Sequence, residues 1–176
     1  MSEEEKIKGL AYYQLIGGIF GVGLSIWLTS KATLINGTVL LIIVLAFGLS
    51  FFSIYCGQQL LKQNFNRGLQ LSLINQALQA INFAMLGYAF KFDVGFLLGA
   101  HVDLTNGFNL GLDFSFPTFQ FNINSDNNSI IVGINLLAFY LIYLIQKLQH
   151  QIKTHKKTDE MENEILDSDL LNNKSI

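Results

Sequence analysis

Chemistry in a protein needs nucleophiles, bases or metal ligands brought together, and this sequence offers few of them. Of its 176 residues one is a cysteine, Cys56, and three are histidines, His101, His150 and His155. A lone thiol excludes a disulfide framework, a thiol-oxidising pair and a zinc ribbon. The one set of polar groups that spacing brings near each other is His101, Asp103 and Asp113. In the hairpin register derived below, Asp113 lies opposite Gly99 and diagonal to His101, at roughly 7–8 Å. A metal would want closer ligands and a catalyst would want a pocket, so solvated surface groups explain them better. No catalytic residue, metal site or cofactor is expected, and the chain is read as a non-enzyme.

A second group of polar residues sits where polar residues are costly. At 100° per residue, Ser72, Asn75, Gln76, Gln79 and Asn82 fall within an arc of about 120° on a helix, with Gly68 on the same stripe. Ile74, Leu78, Ile81 and Met85 occupy the opposite face. Amides in hydrocarbon need partners, so the stripe is expected to face the inside of a bundle or a water-filled space. Interhelical hydrogen bonding, worth about 0.6 kcal/mol per bond, is the preferred reading over a lined path for a polar solute or ion. No ionisable side chain accompanies the amides, which argues against proton-coupled transport.

The elements that hold these residues are read from charge. Hydrophobic residues make up 51% of the chain and charged residues 14%, too few to cover a soluble domain. With 11 basic against 13 acidic residues, nucleic acid is not an expected partner. The charges leave four gaps, and each admits roughly 20 apolar residues, enough for a hydrocarbon core of about 30 Å. Four transmembrane helices are therefore expected at 10–28, 38–60, 69–90 and 129–146. The fold class is an all-α integral membrane protein, an antiparallel four-helix bundle. Its divisions are a cytoplasmic N-terminus (1–9), three spans (10–91), an extracytoplasmic loop (92–127), a fourth span (128–148) and a charged tail (149–176). Gly17, Gly21 and Ser25 follow one another at four-residue spacing, which suits close helix packing.

The outer loop alternates with period two from Val102 to Phe116, a strand pattern. A three-residue turn ending at Gly107 pairs Val102 with Leu110 and Ala100 with Leu112, and keeps apolar and polar faces separate. After Pro117 the phase flips, so Phe116 is expected to pair with Phe119 in a small antiparallel meander of two or three strands. Its apolar face would carry Phe108, Phe114, Phe116, Phe119 and Phe121, a candidate interface.

Nine of the eleven basic residues fall on one side of this topology: Lys6, Lys8, Lys62, Arg67, Lys147, Lys153, Lys156, Lys157 and Lys174. Both termini are accordingly expected in the cytoplasm, in the plasma or inner membrane. Lys147, Lys153, Lys156 and Lys157 suit anionic lipid head groups, and the tail beyond them reads as disordered. The function this supports is an accessory or scaffold subunit. Its partners would be lipid and either further copies of the chain or another membrane protein. The alternative is a small channel or transporter built on the amide stripe.

Overall fold

The computed structural model describes residues 2–31, 36–85, 88–93, 97–115, 118–123 and 130–173, apart from the side chains of 97, 115, 118–119, 121–123, 156, 159–160 and 162–173. The elements are α1 (Glu3–Lys31), α2 (Gly37–Leu61), α3 (Phe65–Ala80), β1 (Ile81–Met85), β2 (Tyr88–Asp93), β3 (Leu97–Asp103), β4 (Asn109–Ser115), β5 (Thr118–Ile123), β6 (Ile131–Asn135) and α4 (Leu136–Asn173). This corrects the expectation of an all-α bundle of four spans with a two- or three-stranded insertion. Among the described residues only α1 and α2 are long and apolar enough to cross a membrane. The expected third span turns into strand at Ile81, the expected fourth becomes helix only at Leu136, and the sheet has six strands.

The physical reason is that a charge-free stretch has the same length of sequence whether it coils or extends. What decides is the period. Ile81, Phe83 and Met85 alternate with Asn82 and Ala84, and Tyr88, Phe90 and Phe92 alternate with Ala89, Lys91 and Asp93. Val132 and Ile134 alternate with Gly133 and Asn135 in the same way. Period two with β-branched and aromatic residues on one face is strand chemistry. At the far end of the chain, α4 continues as helix to Asn173, where composition suggests disorder.

The sheet is antiparallel throughout, in the order β4-β3-β6-β1-β2-β5. The β3–β4 hairpin has the register expected, with Val102 opposite Leu110 and Ala100 opposite Leu112, and Gly107 takes the positive φ of 130° that its turn requires. β5 does not fold back on β4 as expected. It crosses to the other edge and pairs with β2, Phe119 opposite Phe92 and Phe121 opposite Phe90. The expected partner, Phe116, lies outside the described residues.

That crossing dictates the shape. Laid flat, six strands about 4.8 Å apart put β4 and β5 about 24 Å from each other. Yet Ser115 and Thr118 are three residues apart in the chain, a reach of at most about 11 Å. The sheet must roll up, and it does: one cavity is lined by Asp113 of β4, His101 of β3, Ile131 of β6, Asn82 of β1, Lys91 of β2 and Gln120 of β5. It is an incomplete barrel, with no ladder between β4 and β5 among the described residues.

Helices α1 and α2 pack closely because small residues meet. A Cβ added at Gly57 would fall 2.6 Å from the Ala11 carbonyl oxygen, and one at Gly18 would fall 2.8 Å from that of Ser50. Ile7, Leu10, Leu60, Leu69, Ile145 and Leu148 bring all four helices together at the end that holds the N-terminus, where His155 reaches Glu3. Ser53 donates to the Gln14 carbonyl and receives from Asn75, which places those three residues at one level. From there α1 runs 17 residues further, to Lys31, and α2 reaches 16 residues back, to Gly37, about 25 Å each at 1.5 Å per residue. α3 has only five residues left before β1, about 8 Å. The sheet therefore stands beside the far halves of α1 and α2, and β5 touches α1.

Overpacking at the crossing should be costly. Gly57→Leu is expected to destabilise the chain by about 1–3 kcal/mol, seen as a lower Tm in detergent. Gly48→Leu, where an added Cβ meets nothing, is the control and should leave Tm nearly unchanged.

Candidate functional site

Strand parity divides the sheet into two unlike faces. The outer face carries Ile81, Phe83, Met85, Tyr88, Leu98, Leu110, Leu112, Phe114, Val132 and Ile134, all exposed. The inner face is polar or small, and its middle rung can be read straight from the register. Gly111, His101, Gly133 and Asn82 follow one another across β4, β3, β6 and β1, and Lys91 pairs with Gln120 across β2 and β5. Glycine alternates with a large side chain along the rung, which lets a narrow barrel close over its contents. A Cβ at Gly111 would overlap the His101 ring, and one at Gly133 would overlap the Asn82 amide. Together with Ala84 and Ala89 these small residues leave a cavity of about 220 Å³.

His101 and Asp113 are joined inside it. The His101 Nδ1 lies 2.9 Å from Asp113 Oδ2, and both side chains are half-buried. Sequence spacing brought the pair near each other, diagonal at roughly 7–8 Å, and read them as solvated surface groups. The backbone register was right, Gly99 opposite Asp113, but the missing Cβ of Gly111 lets the imidazole swing across to the carboxylate. Asp103 turns to its own loop, where the Thr105 hydroxyl and then the Thr105 amide, 2.8 Å away, hold its carboxyl below the usual range. Among the described residues no group of His, Cys, Asp and Glu is placed to hold a metal.

The floor of the barrel is Asp93. It is buried, with Oδ1 accepting from Asn135 Nδ2 at 3.2 Å and Oδ2 without a partner among the described residues. Burial pushes its carboxyl up to about 6; Lys91 and the Asn135 bond pull the other way, and Asp113 adds to the rise. Asn135 also accepts from the Ala138 amide, so one side chain caps α4 and grips Asp93.

Below the floor lies the amide stripe. Ser72, Asn75, Gln76 and Gln79 are fully buried inside the bundle, as a helical stripe facing inward requires. Asn82 leaves the stripe for the inner face of β1. Ser72 donates to Gln14 Oε1, Asn75 to Ser53 Oγ, and Gln79 to the Asn75 carbonyl. Gln76 differs, since neither its amide nitrogen nor its oxygen has a partner among the described residues. Gln14 Nε2 and Asn75 Oδ1 are unpartnered as well.

The other expected positions fall apart from this interior. Gly17 is buried, Gly21 meets Ser50, and Ser25 Oγ donates to the Gly21 carbonyl. Cys56 is buried and reduced. Phe108 and Phe114 are exposed on the outer side of the hairpin, whereas the side chains of Phe119 and Phe121 lie outside the described residues. Lys147, Lys153 and Lys157 are exposed along α4, and the Lys156 side chain is outside the description. Sequence reasoning missed Lys91, Asp93, Asn135 and Gln14. For the first three the signal was period-two parity through 81–93 and 131–135. For Gln14 it was a single amide in the charge-free run 10–28. No protein-family model matches the chain, and no curated protein or solved structure is similar to it.

Asp93 gives the site a testable pH dependence. Its carboxyl titrates near 6 when folded and near 3.8 when exposed, so between those values the folded chain holds the proton more tightly. The stabilisation is complete below about pH 4 and is lost as pH rises through about 6. Thermal unfolding in detergent should show Tm falling across that window, and Asp93→Asn should flatten the fall. An unchanged slope would mean that Asp93 ionises in contact with water.

Proposed function

We propose that this chain is a non-enzymatic membrane protein, anchored by α1 and α2, which acts as an accessory or scaffold subunit. It engages further copies of itself or another embedded chain through the outer face of its sheet. The observation that carries this reading is the outer face itself, a continuous apolar surface standing level with the far halves of two span-length helices. At that depth its neighbour is lipid or protein, not water. The edges of β4 and β5, which pair with no further strand among the described residues, favour protein, because bare backbone groups in hydrocarbon cost several kcal/mol each. The start of α1 meets α4 at His155 at the helical end, where eight of the eleven basic residues also lie. That supports termini in the cytoplasm and the sheet toward the outside.

Native mass measurement after gentle detergent extraction tests the reading. The parent chain is expected to run as an assembly, and Leu110→Ser with Leu112→Ser to release single chains without loss of insertion. Single, equally stable chains from parent and variant alike would assign the face to lipid and defeat the scaffold reading.

One observation favours a second reading, a path for a polar solute or ion. Gln76 is wholly buried and without a partner among the described residues, which favours a role other than interhelical glue, and Gln79 and Asp93 are buried polar groups further along toward the sheet. Gln76→Leu should then abolish solute flux into vesicles holding purified protein. If the parent passes no solute, this second reading fails.

A further inference from the structure

The barrel interior has a feature that neither reading uses: its walls carry opposite charges. On one wall Lys91 of β2 stands beside Gln120 of β5. On the other, the Asp113 carboxylate of β4 is held by His101 of β3. Between them run the short side chains Ala84 and Ala89, with the Asn82 amide to one side. A flat sheet would hold Lys91 and Asp113 four strands apart, about 19 Å. Rolling puts them on the same cavity, and the repulsion of the Asp113 carboxylate is felt as far as Asp93, two residues from Lys91 along β2.

We propose that this cavity binds a small zwitterion of the amino-acid class, its carboxylate on Lys91 and Gln120 and its ammonium on Asp113. Three features of the site select that class. A purely anionic ligand would meet Asp113, and a purely cationic one would meet Lys91, so each would face a like charge. A ligand bearing both charges, separated by one or two carbons, satisfies both walls. Size agrees, because about 220 Å³ is the room of roughly seven water molecules at about 30 Å³ each. That admits a backbone-like ammonium and carboxylate with a small side chain. A pocket of this size is below the usual range for drug-sized ligands, which excludes nucleotides and most cofactors. The Gln120 and Asn82 amides on the same lining offer neutral hydrogen bonds to the two charged ends. The site lies on the opposite face of the sheet from the proposed partner surface, so it is separate from the scaffold reading.

The test is calorimetric titration of the full chain in detergent with three probes of matched size: alanine, propionate and ethylamine. Saturable binding of alanine is expected, with propionate and ethylamine at least tenfold weaker. Lys91→Gln and Asp113→Asn should each weaken alanine binding tenfold or more while the parent Tm is kept. Should either fail to fold, Ala84→Leu fills the same cavity without touching the charged walls and should abolish binding. The proposal is overturned if alanine does not bind, if propionate or ethylamine binds equally well, or if binding survives Ala84→Leu. Because Leu110 and Leu112 point away from the cavity, the double serine variant should bind alanine normally, so the two ideas fail separately.

Discussion

Three chain steps from Ser115 to Thr118 join the two outermost strands of a six-stranded sheet, and much of the molecule follows from that short tether. A flat sheet cannot satisfy it, so the sheet rolls. Once rolled, parity gives an inside and an outside. Side chains at alternate positions are committed to a confined polar interior or to a broad apolar exterior. Glycine at positions 111 and 133 then becomes a requirement of space, because the inner circumference cannot hold a large side chain on every strand.

The same division continues into the helices. α3 turns Ser72, Asn75, Gln76 and Gln79 toward the inside of the bundle, whereas α4 buries the apolar Ala138, Leu141, Ile145 and Leu148. The protein is therefore polar along its middle and apolar around its perimeter over the length where α1 and α2 flank it. That arrangement reverses the usual inside and outside of a water-soluble domain. It also accounts for a low charged fraction in a chain whose sheet is well formed.

How much of this was legible depends on which physical signal was read. Charge-free length correctly located α1 and α2, and the small residues Gly17, Gly21 and Ser25 marked their packed faces. It misjudged 81–90 and 129–135, because absence of charge says nothing about rise per residue. The information was present in Phe83, Met85, Phe90 and Val132, whose alternation is as regular as that of Val102, Leu110 and Leu112. The β3–β4 register followed from keeping faces pure, but the destination of β5 did not, since pairing across an edge is a long-range choice that local pattern cannot rank. The His101–Asp113 contact was hidden for a subtler reason. Diagonal distances assume a Cβ at every position, and Gly111 has none.

Two of the four helices enter the sheet without a loop. Ala80 ends α3 and Ile81 begins β1; Asn135 ends β6 and Leu136 begins α4. The 38 residues of α4 form a rod about 57 Å long at 1.5 Å per residue, fixed at one end into the barrel wall. A bend between elements normally absorbs torque, and here Asn135 takes its place, bonded to the helix through Ala138 and to the floor through Asp93. Because Ile145 and Leu148 also seat the rod in the helical core, Asn135 ties barrel and bundle into one body, and the start of α4 cannot shift without carrying Asp93 with it.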